Sequence, residues 1–194
     1  ARGLYDEIWE NVQEIAAALI SNIGKTDADY ADLEPKECLF RIYRDARRIK
    51  DGDPIYKNNF GMAIWPGGKK STLPGYYLHI QSGNKSFFWG GVYWPTNEEL
   101  FNLRSYIKTH GKEYKKLVSK PAFKKYFGEV EWKASIRVPA WFNAYDPFLE
   151  IIMKKQHLMY SPLSDKELTS VDIVQRCMER IKASKEWIDF LTTW

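Results

Sequence analysis

The densest group of residues that could do chemistry lies between positions 41 and 57. It combines permanent cations, one carboxylate and one phenol, in the order Arg41, Arg44, Asp45, Arg47, Tyr56 and Lys57. An arginine carries five N–H donors on a planar, permanently charged group, which matches a carboxylate or a phosphate. Two arginines that flank an aspartate can be held rigid and still present donors outward. The segment therefore predicts a pocket for an anionic group, which could also stabilise an oxyanion.

The same segment also has a purely structural interpretation. Networks of arginine and aspartate often tie a strand to a neighbouring helix or loop without any ligand. On a strand, alternation would place Arg41, Asp45 and Arg47 on one face and Arg44 on the other. An anion pocket and a structural network are both open at this point, and the residues name no reaction, so an enzymatic role is not assigned.

Two residues further along the chain are predicted as secondary members of the pocket. Tyr77 and His79 share one face of a strand candidate in which polar and apolar positions alternate. His79 would act as a general base near the arginines. The alternative is a histidine that is simply hydrogen-bonded in the core or at the surface.

The elements that must position these residues begin with a helix. Apolar residues recur every three or four positions over 3–23, and Gly24 is a suitable stop. Strand candidates follow in succession, at about 37–45, 59–65, 75–82 and 86–93. The sequence Ser82-Gly83-Asn84-Lys85 has the chemistry of a hairpin turn between the last two. Successive strands with short connections predict an antiparallel meander.

The second half of the chain is mostly helical in pattern. Helices are predicted from about 95 to 109 and at 112–119, 121–127, 146–155 and 170–191, with strands near 131–137 and 157–160. The sequence Ser164-Asp-Lys-Glu167 is a capping box, which starts a local turn of helix. We expect a single α+β domain over 1–194, with a mainly antiparallel sheet from about residues 37–93 packed by helices from both ends of the chain.

A second basic region lies between positions 108 and 125, where seven lysines accompany Glu113 alone. Aromatic residues interleave with the lysines, and such a pattern can bind single-stranded nucleic acid by stacking bases on rings. The alternative function is therefore a non-enzymatic interaction module for nucleic acid or an acidic partner. Its contact residues would be Lys115, Lys116, Lys124 and Lys125. The structural interpretation is favoured: a solvated helical face with the aromatics turned into the core.

The composition excludes several other classes of protein. The 194 residues carry a formal net charge of +4, too weak to demand nucleic acid as the partner. Cys38 and Cys177 are far apart, and no Cys/His spacing of a metal site occurs, so neither a metal nor a cofactor is predicted. No apolar run approaches the ~20 residues of a membrane span. We expect a cytoplasmic protein with an anionic small molecule as its partner, and the oligomeric state is left open.

The pattern Arg41-x-x-Arg44-Asp45-x-Arg47, followed by a Pro and Tyr56-Lys57, resembles the signature of a bacterial family known only as domain of unknown function 2461. Later blocks resemble the family in the same order, among them Pro74-Gly-Tyr-Tyr-Leu-His79 and Gly90-Gly91-Val-Tyr93. The members are described as conserved hypothetical proteins, so the resemblance implies which positions the motif picks out and no activity. It also implies a short N-terminal segment ahead of the first helix, which this chain would lack.

Overall fold

An amphipathic helix opens the chain, as the apolar spacing predicts. The computed structural model describes residues 2–45, 47, 49–52, 54–128 and 134–194, apart from the side chains of Arg2 and Leu4. Helix α1 (Arg2–Gly24) buries Val12, Ala16 and Leu19 on one face. The ring of Trp9 on this helix lies 6.0 Å from that of Phe60.

The first predicted strand, 37–45, is wrong. A short 3-10 helix (Ala28–Tyr30) is followed by α2 (Pro35–Cys38), which occupies the start of that segment. The reason is local: Glu34 and Glu37 form a capping box, and a proline at the first helical position has its φ already set for a helix. Beyond α2 the segment forms only isolated antiparallel bridges, at Leu39–Met62 and Tyr43–Tyr56.

The other three strands predicted within 37–93 are confirmed, and a later segment supplies the fourth strand of the sheet. The strands are β1 (Phe60–Ile64), β2 (Gly75–Ile80), β3 (Ser86–Val92) and β4 (His157–Leu163). They form one antiparallel sheet in the order β1-β2-β3-β4. Phe60 lies opposite Ile80, and Ile64 lies opposite Tyr76. The sheet therefore extends beyond residues 37–93, because the short strand predicted near 157–160 is longer than expected and pairs with it.

The hairpin between β2 and β3 has the predicted turn. Gly83 and Asn84 both have positive φ, 81° and 58°, which suits a tight turn of the kind that follows the twist of the strands. Their N–H groups donate to the carboxylate of Asp165 at 2.8 and 2.9 Å. Asp165 begins α6 (Asp165–Leu168), which Ser164 caps as the sequence predicts.

The other helices follow the predicted pattern with shifted bounds. They are α3 (Asn97–Val118), α4 (Pro121–Phe127), α5 (Leu149–Ile152) and α7 (Ile173–Thr192). The two helices predicted at 95–109 and 112–119 form the single element α3, with non-helical dihedral angles at His110 marking the predicted break. The helix predicted at 146–155 is reduced to α5. Of the strand predicted near 131–137, residues 131–133 lie outside the described residues, and Ala134 forms an isolated bridge with Lys154.

The chain divides into two compact units. Unit 1 contains Ala1–Ser71, Tyr76–Phe88 and Pro162–Glu179, and unit 2 contains Thr72–Gly75, Trp89–Ser161 and Arg180–Trp194. The α+β class is confirmed, whereas the single domain stays a prediction. No helix among the described residues is both long enough and apolar enough to cross a bilayer.

Each unit has its own apolar core. The core of unit 1 includes Leu19, Met62, Leu78 and Phe88. The core of unit 2 includes Leu103, Ile107, Tyr114, Phe123, Ile152 and Trp187.

Candidate functional site

The arginine motif is held by a short stretch of antiparallel backbone pairing in unit 1. The N–H of Arg44 donates to the carbonyl of Ile55 at 2.9 Å, and the N–H of Lys57 donates to the carbonyl of Ile42 at 2.8 Å. Tyr43 and Tyr56 form the bridge between these two bonds, with ring centroids 5.0 Å apart. Two short segments, 41–45 and 54–57, are thereby fixed side by side although neither is a regular strand.

Three cations meet at this pairing. The ammonium of Lys57 donates to the carbonyl of Arg41 at 3.1 Å. Partial burial and then the charges of Arg41 and Arg44 hold the pKa of Lys57 below its usual 10.5. Among the described residues none of the three forms an ion pair with a carboxylate. We call Arg41, Arg44 and Lys57 the cation cluster.

Arg44 is the most constrained member of the cation cluster. Its residue is half-buried, and its Nε is buried without a hydrogen-bond partner among the described residues. Buried polar groups are normally hydrogen-bonded, so an unpartnered guanidinium N–H needs an explanation. Arg41 is exposed. The cluster therefore has one cation in contact with solvent and one donor, Nε of Arg44, that is shielded from water.

The aspartate of the motif is engaged elsewhere. Arg47 donates to Asp45 in a bidentate arrangement, from Nε to Oδ1 at 3.0 Å and from Nη2 to Oδ2 at 2.8 Å. The backbone N–H of Arg47 also donates to Oδ1, at 3.1 Å. The guanidinium of Arg47 is 88% exposed. Neither Arg41 nor Arg44 forms an ion pair with Asp45, so this carboxylate does not neutralise the cation cluster.

The two tyrosines of the bridge lie at the surface. Tyr43 is 52% exposed and Tyr56 is 54% exposed. A hydrogen bond to Tyr43, followed by the charge of its hydroxyl, raises the pKa of Tyr56. At neutral pH Tyr56 is therefore a neutral phenol beside the cation cluster.

Tyr77 and His79 lie on one face of β2, as the alternation predicts. The hydroxyl of Tyr77 lies 3.4 Å from Nδ1 of His79, and Nε2 of His79 lies 3.0 Å from Oε1 of Gln81. The imidazole stacks on Phe87 with centroids 4.5 Å apart. Tyr77 also lies over Gly61, where an added Cβ would be 2.5 Å from its hydroxyl.

The eight predicted site residues therefore fall into three groups. Arg41, Arg44 and Lys57 come together, Asp45 pairs with Arg47, and Tyr77 joins His79 in a hydrogen-bonded row. Tyr56 lies beside the cation cluster, because it forms the backbone bridge with Tyr43. The ring of Tyr77 approaches the motif at Phe40, with centroids 6.4 Å apart.

The lysine-rich segment of α3 and α4 does not offer the ring platform that base stacking requires. Tyr114, Phe123 and Phe127 are buried, while the lysines among them are exposed or half-buried. Tyr126 is half-buried, and its ring is covered by Lys125 at 4.7 Å and Arg180 at 5.2 Å. The favoured interpretation of this segment, a solvated helical face with aromatics in the core, is confirmed for these rings.

Sequence reasoning missed a polar cluster in the core of unit 2. Arg104 is only 8% exposed, and His157 is fully buried with Nδ1 3.3 Å from the hydroxyl of Tyr114. A signal for it existed: Arg104 follows Leu100 by four residues and precedes Ile107 by three, which puts it on the apolar stripe of α3. An arginine on such a stripe predicts a buried cation.

The family model of DUF2461, described as conserved hypothetical protein, matches residues 1–190. The chain belongs to this family. No curated protein and no solved structure gives a match to it. Membership in DUF2461 confirms the resemblance to this family and brings no activity with it, so the function must be argued from the geometry.

Proposed function

We propose that this DUF2461 protein binds a small anionic molecule, through a carboxylate or phosphate group, at the cation cluster of unit 1. The observation that carries the proposal is the meeting of Arg41, Arg44 and Lys57 without a carboxylate partner among the described residues. Like charges held together are costly, and a bound anion offsets that cost.

The electrostatics of Lys57 support this proposal. Its ammonium is disfavoured by partial burial and by both arginines, which is why its pKa is lowered. A structural network of the ordinary kind has the opposite character, because each cation faces a carboxylate and the lysine pKa rises. The cluster therefore has the charge pattern of a binding site rather than that of an internal salt-bridge network.

The backbone pairing supports pre-organisation of the donors. Arg44 and Lys57 are each anchored by a backbone hydrogen bond across the pairing, and the ammonium of Lys57 is anchored again at the carbonyl of Arg41. Donors that are already ordered lose less conformational entropy when a ligand arrives. The guanidinium forks would grip a carboxylate or phosphate in two places, while the ammonium would add a point charge.

The other predicted residues do not belong to the cation cluster but contribute to the proposed site indirectly. Arg47 holds Asp45 in a bidentate pair, which keeps the carboxylate from neutralising the cluster. Tyr77 and His79 are secondary members, since the ring of Tyr77 packs near Phe40, directly before Arg41.

The test is a thermal-shift screen of the whole chain against inorganic phosphate, pyrophosphate, nucleotides and small carboxylates. An anion present at 100 times its Kd adds about 2.7 kcal/mol of stability, which raises the Tm of a chain of this size by about 5–10 °C. Arg44→Gln should abolish the shift, and His79→Ala should reduce it less. Lys85→Gln is the matched control, because Lys85 is an exposed lysine in the β2–β3 turn of the same unit.

Two results would overturn the proposal. One is a screen in which none of these anions raises the Tm of the wild-type chain. The other is an anion-induced shift that survives in Arg44→Gln at full size, which would locate the binding elsewhere.

A further inference from the structure

A cavity of about 280 Å³ lies in unit 2, between the C-terminal ends of α3 and α4 and the helix α5. Among the described residues that line it are three lysines, Lys115, Lys124 and Lys154, and one acidic residue, Glu150. We propose that this cavity is a second binding site, which takes a small organic molecule bearing a phosphate monoester. This inference is independent of the cation cluster in unit 1.

The charges of the cavity wall are only partly balanced. Lys115 pairs with Glu150 at 3.0 Å and also lies 5.6 Å from the centre of the Phe148 ring. Lys124 has no ion pair or hydrogen bond from its ammonium among the described residues. The wall thus offers at least one free ammonium to a ligand that enters the cavity.

A buried cation, Arg104, is hydrogen-bonded to the backbone of Lys154, one of the residues that line the cavity. Arg104 is 8% exposed, and its Nη2 donates to the backbone carbonyl of Lys154 and to Oγ of Ser135, both at 3.1 Å. Its Nε is buried without a partner, and Arg104 forms no ion pair in the described part of the chain. Burying a guanidinium without a counter-charge is costly. An anion bound in the cavity beside Lys154 would supply part of that counter-charge.

The pKa of the buried His157 is affected by the same positive charges. Burial, then the charges of Lys154 and Arg104, lower its pKa from 6.5 to about 3. Its Nδ1 faces the hydroxyl of Tyr114, whose side chain lines the cavity. His157 is therefore neutral at physiological pH, and it leaves the positive charge of this region to arginine and lysine.

The C-terminal ends of α3 and α4 carry partial negative charge, which opposes the binding of an anion in the cavity. The sizes of the opposing charges decide whether an anion is favoured. The C-terminus of an α-helix is equivalent to roughly half a negative charge, and its effect is worth typically 0.3–1 kcal/mol at a surface. Terminal carbonyls here already have donors: Ser119 N–H bonds to Lys115 O, and Gly128 N–H bonds to Lys124 O, both at 3.1 Å. Lys124 and Arg104 carry two full positive charges that no carboxylate of the described residues balances, and these outweigh two such partial charges, so the cavity favours an anion.

The shape and chemistry of the walls narrow the class of ligand. The volume is close to the lower end of the range for small-molecule sites, so the ligand has the size of a short phosphorylated alcohol rather than a nucleotide. Val118 and Ile151 supply apolar wall for the organic part. Lysine ammoniums bind phosphate as point charges, whereas bidentate recognition of a carboxylate is the property of arginine, and no arginine is among the described residues that line this cavity.

The test is calorimetric titration of the full chain with glycerol 3-phosphate, with glycerol, inorganic phosphate and succinate as comparison probes. The Arg44→Gln background removes binding at the cation cluster. Lys124→Gln should weaken binding of glycerol 3-phosphate at least tenfold. Lys116→Gln is the matched control: it removes the same charge from the same helical region at a position that does not line the cavity, and it should leave the Kd within about twofold.

The expected result is binding of glycerol 3-phosphate in the Arg44→Gln background that Lys124→Gln alone weakens. Binding of inorganic phosphate or succinate as tight as that of glycerol 3-phosphate would contradict the phosphate-ester class. The site itself is refuted if no probe binds, or if Lys116→Gln and Lys124→Gln weaken binding equally. Binding lost in Arg44→Gln but kept in Lys124→Gln would refute this site while supporting the proposal for unit 1.

Discussion

Unit 1 and unit 2 each hold cations without a carboxylate partner among the described residues, but at different depths. In unit 1, Arg41 is exposed and Arg44 and Lys57 are half-buried. In unit 2, Arg104 is buried, and its hydrogen-bond acceptors are a backbone carbonyl and Oγ of Ser135. Both regions use guanidinium and ammonium groups, but these groups are accessible to water in unit 1, whereas Arg104 in unit 2 is shielded from it.

The difference in depth separates binding from stability. Water and salt screen the charges of the cation cluster, so its substitutions should change ligand affinity more than folding. Arg104 is shielded from water and held by its hydrogen-bond acceptors, so substitutions of Arg104 should lower the free energy of unfolding directly. The predictions that follow test this contrast, in order of decreasing effect.

The largest effect is expected where β3 approaches β4 in unit 2. Gly91 has φ of 120°, and an added Cβ would lie 2.0 Å from the carbonyl oxygen of His157. We expect Gly91→Ala to destabilise the protein by about 3–5 kcal/mol, because a steric clash with backbone adds to the strain of a positive φ. Urea unfolding measures the change. Gly83→Ala is the control, since its φ is also positive but nothing lies within 4 Å; an equal loss in both variants would contradict the clash.

The next effect is a loss of stability in acid that comes from His157. Its folded-state pKa is about 3 against an ordinary 6.5, so between these values the unfolded chain binds a proton that the folded chain does not. This contribution is fully present above pH 6.5 and is lost as the pH falls toward 3. At pH 5 the expected loss is about 2 kcal/mol.

Urea unfolding of the wild type at pH 7 and pH 5 measures this loss, with His157→Gln as the comparison. The variant should lack the part of the pH dependence that His157 contributes. If wild type and variant lose stability in parallel, the histidine does not titrate in this way. Should the variant fail to fold, the C2 proton shift of His157, followed by NMR down to pH 4, provides the answer: a midpoint near 6.5 contradicts the account.

A conservative pair of substitutions compares the two units directly. Arg104→Lys keeps the charge but loses Nη2, which donates to both Ser135 and the carbonyl of Lys154, so we expect a loss of about 1–2 kcal/mol. Arg44→Lys should change the unfolding free energy by less than about 0.5 kcal/mol. Denaturant unfolding at pH 7 checks both values, and the reverse order would show that depth does not separate the two regions.

The smallest effect is expected at the Asp45–Arg47 pair. Because the guanidinium is 88% exposed, the pair should contribute almost nothing to stability despite its bidentate geometry. Thermal unfolding of Arg47→Ala should match that of the wild type within measurement error. A clear drop in Tm would mean that the arginine motif is a structural network after all.

Local rules predicted most of the fold. The hairpin between β2 and β3, the capping box of Ser164 and the break at His110 each depend on residues that are neighbours in sequence. The strand predicted at 37–45 failed for an equally local reason, the proline-led capping box at Glu34. The pairing of β4 with the sheet was not predictable, because it joins segments more than sixty residues apart.

The candidate sites divide in the same way. The motif from Arg41 to Lys57 is compact in sequence, so its residue types were visible before its geometry was known. The polar cluster of unit 2 joins Arg104, Tyr114 and His157 across fifty residues, and no spacing rule connects them. That Arg47, and neither Arg41 nor Arg44, pairs with Asp45 also depends on side-chain geometry that a motif does not encode.

The measurement that tests the central claim most directly is the pKa of Lys57, followed through its labelled side chain by NMR. The account predicts a pKa below 10.5 in the free protein, because partial burial and the charges of Arg41 and Arg44 disfavour the ammonium. Addition of the anion found in the thermal screen should raise it, and Arg44→Gln should raise it without any ligand. A pKa of 10.5 that responds neither to the anion nor to Arg44→Gln would contradict the existence of an uncompensated cation cluster.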